Sequence, residues 1–205
     1  MIARTASSTS RRGARIHFGR RTGALLALVG VAAAVVAPVV HHAFREVTLP
    51  LRHEDIIRQQ AEAKRLDPSL IAAVIYAESR FRDQTSRTGA KGLMQIQPDT
   101  ARFIARRSGG TEFEVRDLGT PQINIQYGSY YLRYLLDRYA DNEVLAIAAY
   151  NGGATNVDRW IADSGTRGVT LTPGRIPFAE TRAYVDRVLR AREEYRRTYS
   201  RELGL

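Results

Sequence analysis

The run Asp67-Pro68-Ser69-Leu70-Ile71-Ala72-Ala73-Val74-Ile75-Tyr76-Ala77-Glu78-Ser79-Arg80-Phe81 carries the strongest fold signal in this chain. Aspartate followed by proline predicts a helix start. The Asp67 carboxylate can cap a free backbone N–H, and proline at the first helical position lacks a donor that would go unpaired anyway. Leu70, Val74 and Glu78 then fall on one i, i+4 row, with Ile71 and Ile75 beside it. The stripe predicts a core-facing helix, yet it ends on a carboxylate where the pattern asks for Leu or Val. Partial burial and the negative end of the helix dipole both disfavour the charged form of Glu78 and raise its pKa. A carboxylic acid in such a place is suited to holding a proton near neutral pH. The alternative that the helix leaves open is a boundary glutamate turned outward or paired with Arg80 or Arg82.

Helical patterning extends in both directions. Ile56, Ile57 and Ala61 mark an amphipathic stretch upstream, and further helices are expected over about 99–107, 121–139, 143–150, 154–162 and 179–197. Gly89 to Gly92, Gly109-Gly110, Gly152-Gly153 and the stretch from Gly165 to Pro177 interrupt them. No convincing strand alternation and no internal repeat is visible. Residues 51–200 are expected to form one compact, mainly α domain, a length sufficient for its own core.

The N-terminal quarter reads differently. Residues 1–22 hold six arginines and no acid, and Gly23 to Val40 is an uncharged, largely apolar run of 18 residues. A membrane-spanning helix needs about 17–25 such residues. Arginines on the near side keep that end in the cytoplasm and place the downstream residues on the outer face. The expected order is a basic tail over 1–22, a transmembrane signal anchor over 23–40 and a linker over 41–50. A secretory signal would require small residues at the cleavage site, and Pro38 after Ala37 is a poor site for one. Cleavage would release the domain as a secreted protein.

The whole chain of 205 residues has a formal net charge of +10, of which the basic tail supplies more than half. A nucleic-acid partner is therefore not expected, since the basic charge is a short tail and not a binding face. The chain has no cysteine, which removes thiolate metal sites, iron–sulfur clusters and cysteine nucleophiles. Its four histidines, at positions 17, 41, 42 and 53, leave none downstream for a triad. No cofactor and no metal is expected. The chemistry falls to carboxylates.

Downstream of Glu78 the chain reads Ser86-Arg87-Thr88-Gly89-Ala90-Lys91-Gly92-Leu93-Met94-Gln95-Ile96-Gln97-Pro98. Its glycines let backbones approach closely, and Gln95 is an amide held between apolar neighbours. Buried amides need partners, which a polar ligand such as a sugar can provide. Later, Ala148-Ala149-Tyr150-Asn151-Gly152-Gly153 ends a helix with a phenol and an amide beside a turn.

These elements together resemble the soluble lytic transglycosylase family, peptidoglycan-cleaving enzymes with a lysozyme-like catalytic domain. The resemblance runs from about Ile56 to Leu189. It includes Leu66-Asp67-Pro68, Glu78-Ser79-Arg80-Phe81, Gly89 to Ile96, Asn124-Ile125, Ala149 to Gly153, and Ile176-Pro177-Phe178-Ala179-Glu180-Thr181-Arg182-Ala183-Tyr184-Val185, in the family's order. It implies a lysozyme-like fold of the α+β superfamily with a substrate cleft. Glu78 would be the single catalytic acid/base. Ser86, Gln95, Tyr150 and Glu180 would line the saccharide cleft, and Asn151 would support the turn beside it. Gln97 stands where the family commonly has an apolar residue, and Gly153 follows Gly152 where alanine then glycine is usual.

Two-carboxylate glycosidases place their acids about 5 Å or more apart. Asp83, Asp99 and Glu180 are the candidates for a second acid here, with Asp99 beside Pro98 looking like a helix cap. The resemblance implies instead that the substrate's own N-acetyl group replaces the second carboxylate. It also implies peptidoglycan glycan strands as partner, and a 1,6-anhydromuramic product formed without water. Lysozyme-like hydrolysis and a non-catalytic wall-binding module are the competing functions. Arginines far outnumber lysines, and many sit on helical faces beside acids. That pattern is a solvated face, or one that attracts anionic wall polymers.

Overall fold

A computed structural model of the chain describes residues 34, 36, 37, 40, 47–109, 112–163 and 172–205. The chain divides into two compact units, Met1–Arg45 and Glu46–Leu205. Of the first, only Ala34, Val36, Ala37 and Val40 are described, each helical and exposed. The basic tail and most of the expected span over 23–40 thus lie outside the described residues. Among those residues, no helix is long and apolar enough to cross a membrane.

The second unit is helical. Its order is α1 (Glu54–Lys64), α2 (Pro68–Ser79), α3 (Pro98–Ser108), α4 (Pro121–Arg138), α5 (Glu143–Gly152), α6 (Ala154–Asp163), α7 (Ala179–Thr198) and the single turn α8 (Ser200–Leu203). Two short 3-10 turns, Val115–Gly119 and Pro173–Arg175, join α3 to α4 and precede α7. Among the described residues there is no sheet. Two isolated antiparallel bridges, Thr85 with Lys91 and Lys91 with Ile96, are the only extended pairings among them. The mainly α expectation holds, and among the described residues the cluster of turns after α2 supplies the only β bridges.

The helix α2 is the centre of the unit. Its cap forms as the Asp-Pro signal requires: the Asp67 carboxylate accepts from the Ser69 N–H at 2.9 Å and the Ser69 hydroxyl at 2.6 Å. Leu70 through Ile75 are all at most 1% exposed. The helix is therefore surrounded, chiefly by α7, while α4 packs on α5 and α1, and α5 on α6 and α7. Fully burying a side chain such as Leu70 or Ile71 stabilises the fold by about 1.5–3 kcal/mol.

Arg192 ties α7 to two helix starts. Its guanidinium donates to Asp67 at 3.2 Å and to Glu143 in the first turn of α5. Burial alone would raise the Asp67 pKa, but the Ser69 hydrogen bonds and the Arg192 and Arg196 charges outweigh it and hold it below the ordinary value.

A further tie is not legible in the sequence. Three tyrosine hydroxyls donate to three consecutive backbone carbonyls of the entering segment: Tyr76 to Thr48 at 3.2 Å, Tyr199 to Leu49 at 2.7 Å and Tyr195 to Pro50 at 2.5 Å. Tyr195 is fully buried and packs edge-on against Tyr76 and beside Phe81. The segment before α1 is thereby fixed to α2 and α7.

Asp99 differs from expectation. Gln97, not Asp99, is the residue preceding α3, with Pro98 first in the helix. Asp99 lies in the first turn and pairs with Arg102 at 2.7 Å on the surface. Proline disfavours helical backbone in the residue before it, so Gln97 stays extended and becomes the boundary.

Candidate active site

The last turn of α2 delivers Glu78. Arg80 and Phe81 follow with φ of 52° and 60°, so the chain turns sharply away in left-handed backbone. Phe81 is only 3% exposed, and its burial pins that turn. Neither arginine takes the carboxylate. Arg80 lies over the Tyr76 ring at 5.6 Å, and Arg82 reaches the Ser79 carbonyl at 3.5 Å. Glu78 instead turns inward and accepts a hydrogen bond from the Tyr184 hydroxyl at 2.7 Å.

The electrostatics arise from that geometry. Removal from water raises the Glu78 pKa from 4.5 to about 7, against the lowering effects of the Tyr184 hydrogen bond and the Arg187 charge. Tyr184 and Tyr150 are both pushed well above 10, first by burial and then by the negative Glu78. Both phenols therefore keep their protons, and Tyr184 acts only as donor to Glu78. Carboxyl and phenols form one cluster of coupled groups.

The loop from Gln84 to Gln97 forms the next wall. Gly89 and Gly92 have φ of 85° and 75°, and Gln95 itself has φ of 47°. A Cβ on Gly92 would lie 2.1 Å from the Asn124 Nδ2, so only glycine fits there. Asn124 is 1% exposed and uses its whole side chain on this loop. Its oxygen accepts from the Met94 N–H at 2.7 Å, and its amide donates to the Lys91 and Leu118 carbonyls, each at 2.9 Å. Tyr150 completes the closure by donating to the Met94 carbonyl at 3.0 Å.

The expected site residues divide into two groups. Glu78 and Tyr150 come together with Tyr184, and Gln95 joins them through its neighbour Met94. The Gln95 amide nitrogen donates to the Gln84 and Gly92 carbonyls at 2.9 and 2.8 Å, so the loop itself satisfies it. Ser86 is likewise turned to its own loop, accepting from the Ala90 N–H at 3.0 Å and contacting the Thr88 hydroxyl at 2.9 Å. Asn151 and Glu180 are exposed, one at the end of α5 and the other in the first turn of α7. Gln97 donates to Thr88 at 3.1 Å on the exposed side of the loop.

Tyr184 is a site residue that sequence patterning does not single out. It shares an inward row of α7 with Val185, Val188 and Ala191, and a tyrosine there reads as core. Of the candidate second acids, Asp83, Asp99 and Glu180 are all exposed. The charged group acting on Glu78 is a cation, Arg187, and not another carboxylate.

Recesses flank the cluster. One of about 310 Å³ is lined by Asp99, Thr100, Phe103, Tyr131, Tyr134 and Ala154. Its aromatic wall continues to the cluster, with Tyr131 5.5 Å from the Tyr150 ring. Rings of this kind offer flat apolar faces with polar tips, as a sugar ring requires. A cavity of about 670 Å³ elsewhere is lined by Ala63, Lys64, Arg65, Arg133, Asp137 and Asp141. It holds none of the expected residues, and Arg133 there is already paired with both aspartates. Among the described residues, no group of three or more His, Asp or Glu side chains is placed to hold a metal ion.

Residues 55–171 match the family model described as the transglycosylase SLT domain. The chain is 33% identical over 154 residues to the soluble lytic murein transglycosylase of Salmonella typhimurium, covering 74% of this chain and 24% of that one. It is 34% identical over 164 residues to the membrane-bound lytic murein transglycosylase C of Shigella sonnei, covering 69% and 46%. Among solved structures, an inactive mutant of the lytic transglycosylase Slt from Pseudomonas aeruginosa superposes with a TM-score of 0.70 at 34% identity, over 76% of this chain and 26% of that one. A complex of a 70-kDa soluble lytic transglycosylase with bulgecin A gives 0.70 at 30% identity, over 82% and 28%. The chain thus spans about a quarter of the length of its soluble curated relatives.

Proposed function

This chain belongs to the transglycosylase SLT domain family, and on that premise we propose that it is a peptidoglycan lytic transglycosylase with Glu78 as its single general acid/base. The observation that carries the reading is the Glu78 carboxyl, raised to about 7 and held by Tyr184 at 2.7 Å. At neutral pH a large share of such molecules holds the proton that cleavage needs. Tyr184 occupies one carboxyl oxygen and leaves the other to carry that proton toward substrate.

The reaction begins with that proton. Protonated Glu78 donates to the glycosidic oxygen between N-acetylmuramic acid and N-acetylglucosamine. The substrate's acetamido oxygen stabilises the developing positive charge at the anomeric carbon. Glu78, now a carboxylate, takes the proton of the muramyl C6 hydroxyl, whose oxygen closes on that carbon. The bond to the leaving sugar breaks, a 1,6-anhydro ring forms and no water is consumed. Sugar rings lie along the Tyr131 and Tyr134 wall, and the Met94–Gln95 loop edge borders them. Residues 23–40 anchor the domain on the outer face of the cytoplasmic membrane. Both a soluble and a membrane-bound lytic transglycosylase are among the relatives.

Digestion of purified sacculi with measurement of product masses tests the reaction. Anhydro-ended muropeptides, one water lighter than reducing ones, are expected, and reducing ends alone would establish hydrolysis instead. A second expected result concerns Tyr184→Phe. The phenol's hydrogen bond favours the carboxylate, so its loss moves the Glu78 pKa further up. The alkaline limb of the pH–rate profile shifts to higher pH in this variant. A limb at the parent's position would show that Tyr184 does not act on the acid.

A further inference from the structure

Arg187 and Arg190 lie one turn apart on α7, both exposed, at a spacing that puts them side by side on one helix face. They line a recess of about 390 Å³, with Leu49, Tyr76 and Ala191 as its apolar walls and Thr48 and Glu194 at its margin. Arg133, Arg138, Arg192 and Arg196 are each paired with an acid. Among the described residues, Arg187 and Arg190 are in no ion pair. Glu194, the acid at the margin, is engaged by Arg197 at 2.6 Å. The recess therefore presents two guanidinium groups that are in no ion pair, over apolar walls.

Its position joins it to the chemistry. Tyr76 is two residues before Glu78 on α2, and the Arg187 charge acts directly on the Glu78 carboxyl. Arg187 is thus the lining residue that links the recess to Glu78. The recess shares no lining residue with the one bounded by Tyr131 and Tyr134.

We propose that Arg187 and Arg190 are specificity-determining residues that hold a carboxylate of the glycan substrate, that of its peptide stem, in this recess. The inference rests on the transglycosylase reading of the site. A planar guanidinium fork matches a carboxylate bidentately, and the sugar ring itself carries no such charge. The apolar walls of Leu49, Tyr76 and Ala191 suit the methyl and methylene groups of a short peptide. In strands without stems, the lactyl carboxylate of muramic acid offers the same chemistry.

Equilibrium binding separates these sources without turnover. Full-length Glu78→Gln protein is titrated with soluble, uncross-linked glycan strands, either bearing stems or stripped of them by an amidase. The comparison protein adds Arg187→Ala and Arg190→Ala. Loss of a charge-assisted contact is expected to weaken binding of stem-bearing strands about ten-fold. Weakening confined to stem-bearing strands identifies the stem carboxylate, whereas weakening confined to stripped strands, in which the amidase has freed the lactyl carboxylate, or equal weakening on both overturns the stem assignment. Arg187→Lys with Arg190→Lys retains the charge and recovers part of the affinity. Binding unaltered on both substrates overturns the proposal, as does failure of strands to bind even with both arginines present. A parent that binds strands but cleaves none refutes the reading of the active site and not the role of the arginines.

Discussion

Glu78→Gln lowers the rate of sacculus lysis by roughly 10²–10⁴-fold, the range that general acid–base transfer supplies. The amide keeps an oxygen to accept from Tyr184, so the fold around it is retained and the loss is chemical. A stability signature accompanies it. The folded parent holds a proton on Glu78 that the unfolded chain releases near pH 4.5, because the folded pKa is about 7. Between those values the folded state binds more protons, so stability falls as pH rises through the window and stays lower above it. Glutamine has no such penalty. Thermal melts of parent and variant therefore diverge from pH 4.5 to about 7, with the variant gaining. Parallel melts, or lysis at the parent's rate, would show that Glu78 is neither buried as described nor the acid.

Asn124→Ala is expected to cost about 3–5 kcal/mol, among the largest effects available to one side chain here. The deletion orphans the Met94 N–H and the Lys91 and Leu118 carbonyls together. Each buried group left without a partner costs about 1–3 kcal/mol, and some regain water. Asn124→Asp separates the contributions: it still accepts from Met94 but sets a carboxylate oxygen against two carbonyls. Gly92→Ala attacks the same junction from the other side, since its Cβ would overlap Asn124. Urea unfolding gives the stabilities, and lysis should fall with them as the Gln95 loop loosens. A cost under about 1 kcal/mol for Asn124→Ala would mean that the loop is not held by this amide.

The part of the fold that is legible in the sequence is local. The Asp67-Pro68 start, the Leu70–Val74–Glu78 row and the glycine interruptions are encoded within a few residues, and the helices form where that patterning expects them. The carboxylate ending an apolar row singles out Glu78, and the family resemblance, not the helix alone, proposes it as the acid. Tyr184 and Asn124 escape for the opposite reason. A tyrosine on the inward row of α7 looks like packing, and an asparagine early in α4 looks like a boundary residue. Their meaning comes from Glu78, 106 positions away, and Met94, 30 positions away. The tyrosine ties to Thr48, Leu49 and Pro50 span still longer separations for two of their three members. Gln95 is legible in the sequence as an amide among apolar neighbours and Ser86 only through the family resemblance; that the Gln95 amide nitrogen and the Ser86 hydroxyl also bond the backbone of their own loop is not legible there. Asp99 reads as a cap only when Pro98 is not counted as the first helical residue.

The proposed chemistry requires that Glu78 stay protonated into the neutral range because the fold shields it. Carbon-13 NMR titration of the chain labelled at glutamate side-chain carboxyls, with Glu78→Gln assigning the resonance, measures this directly. The Glu78 signal should titrate with a midpoint near 7. A midpoint near 4.5 would contradict the assignment of Glu78 as a proton-holding acid.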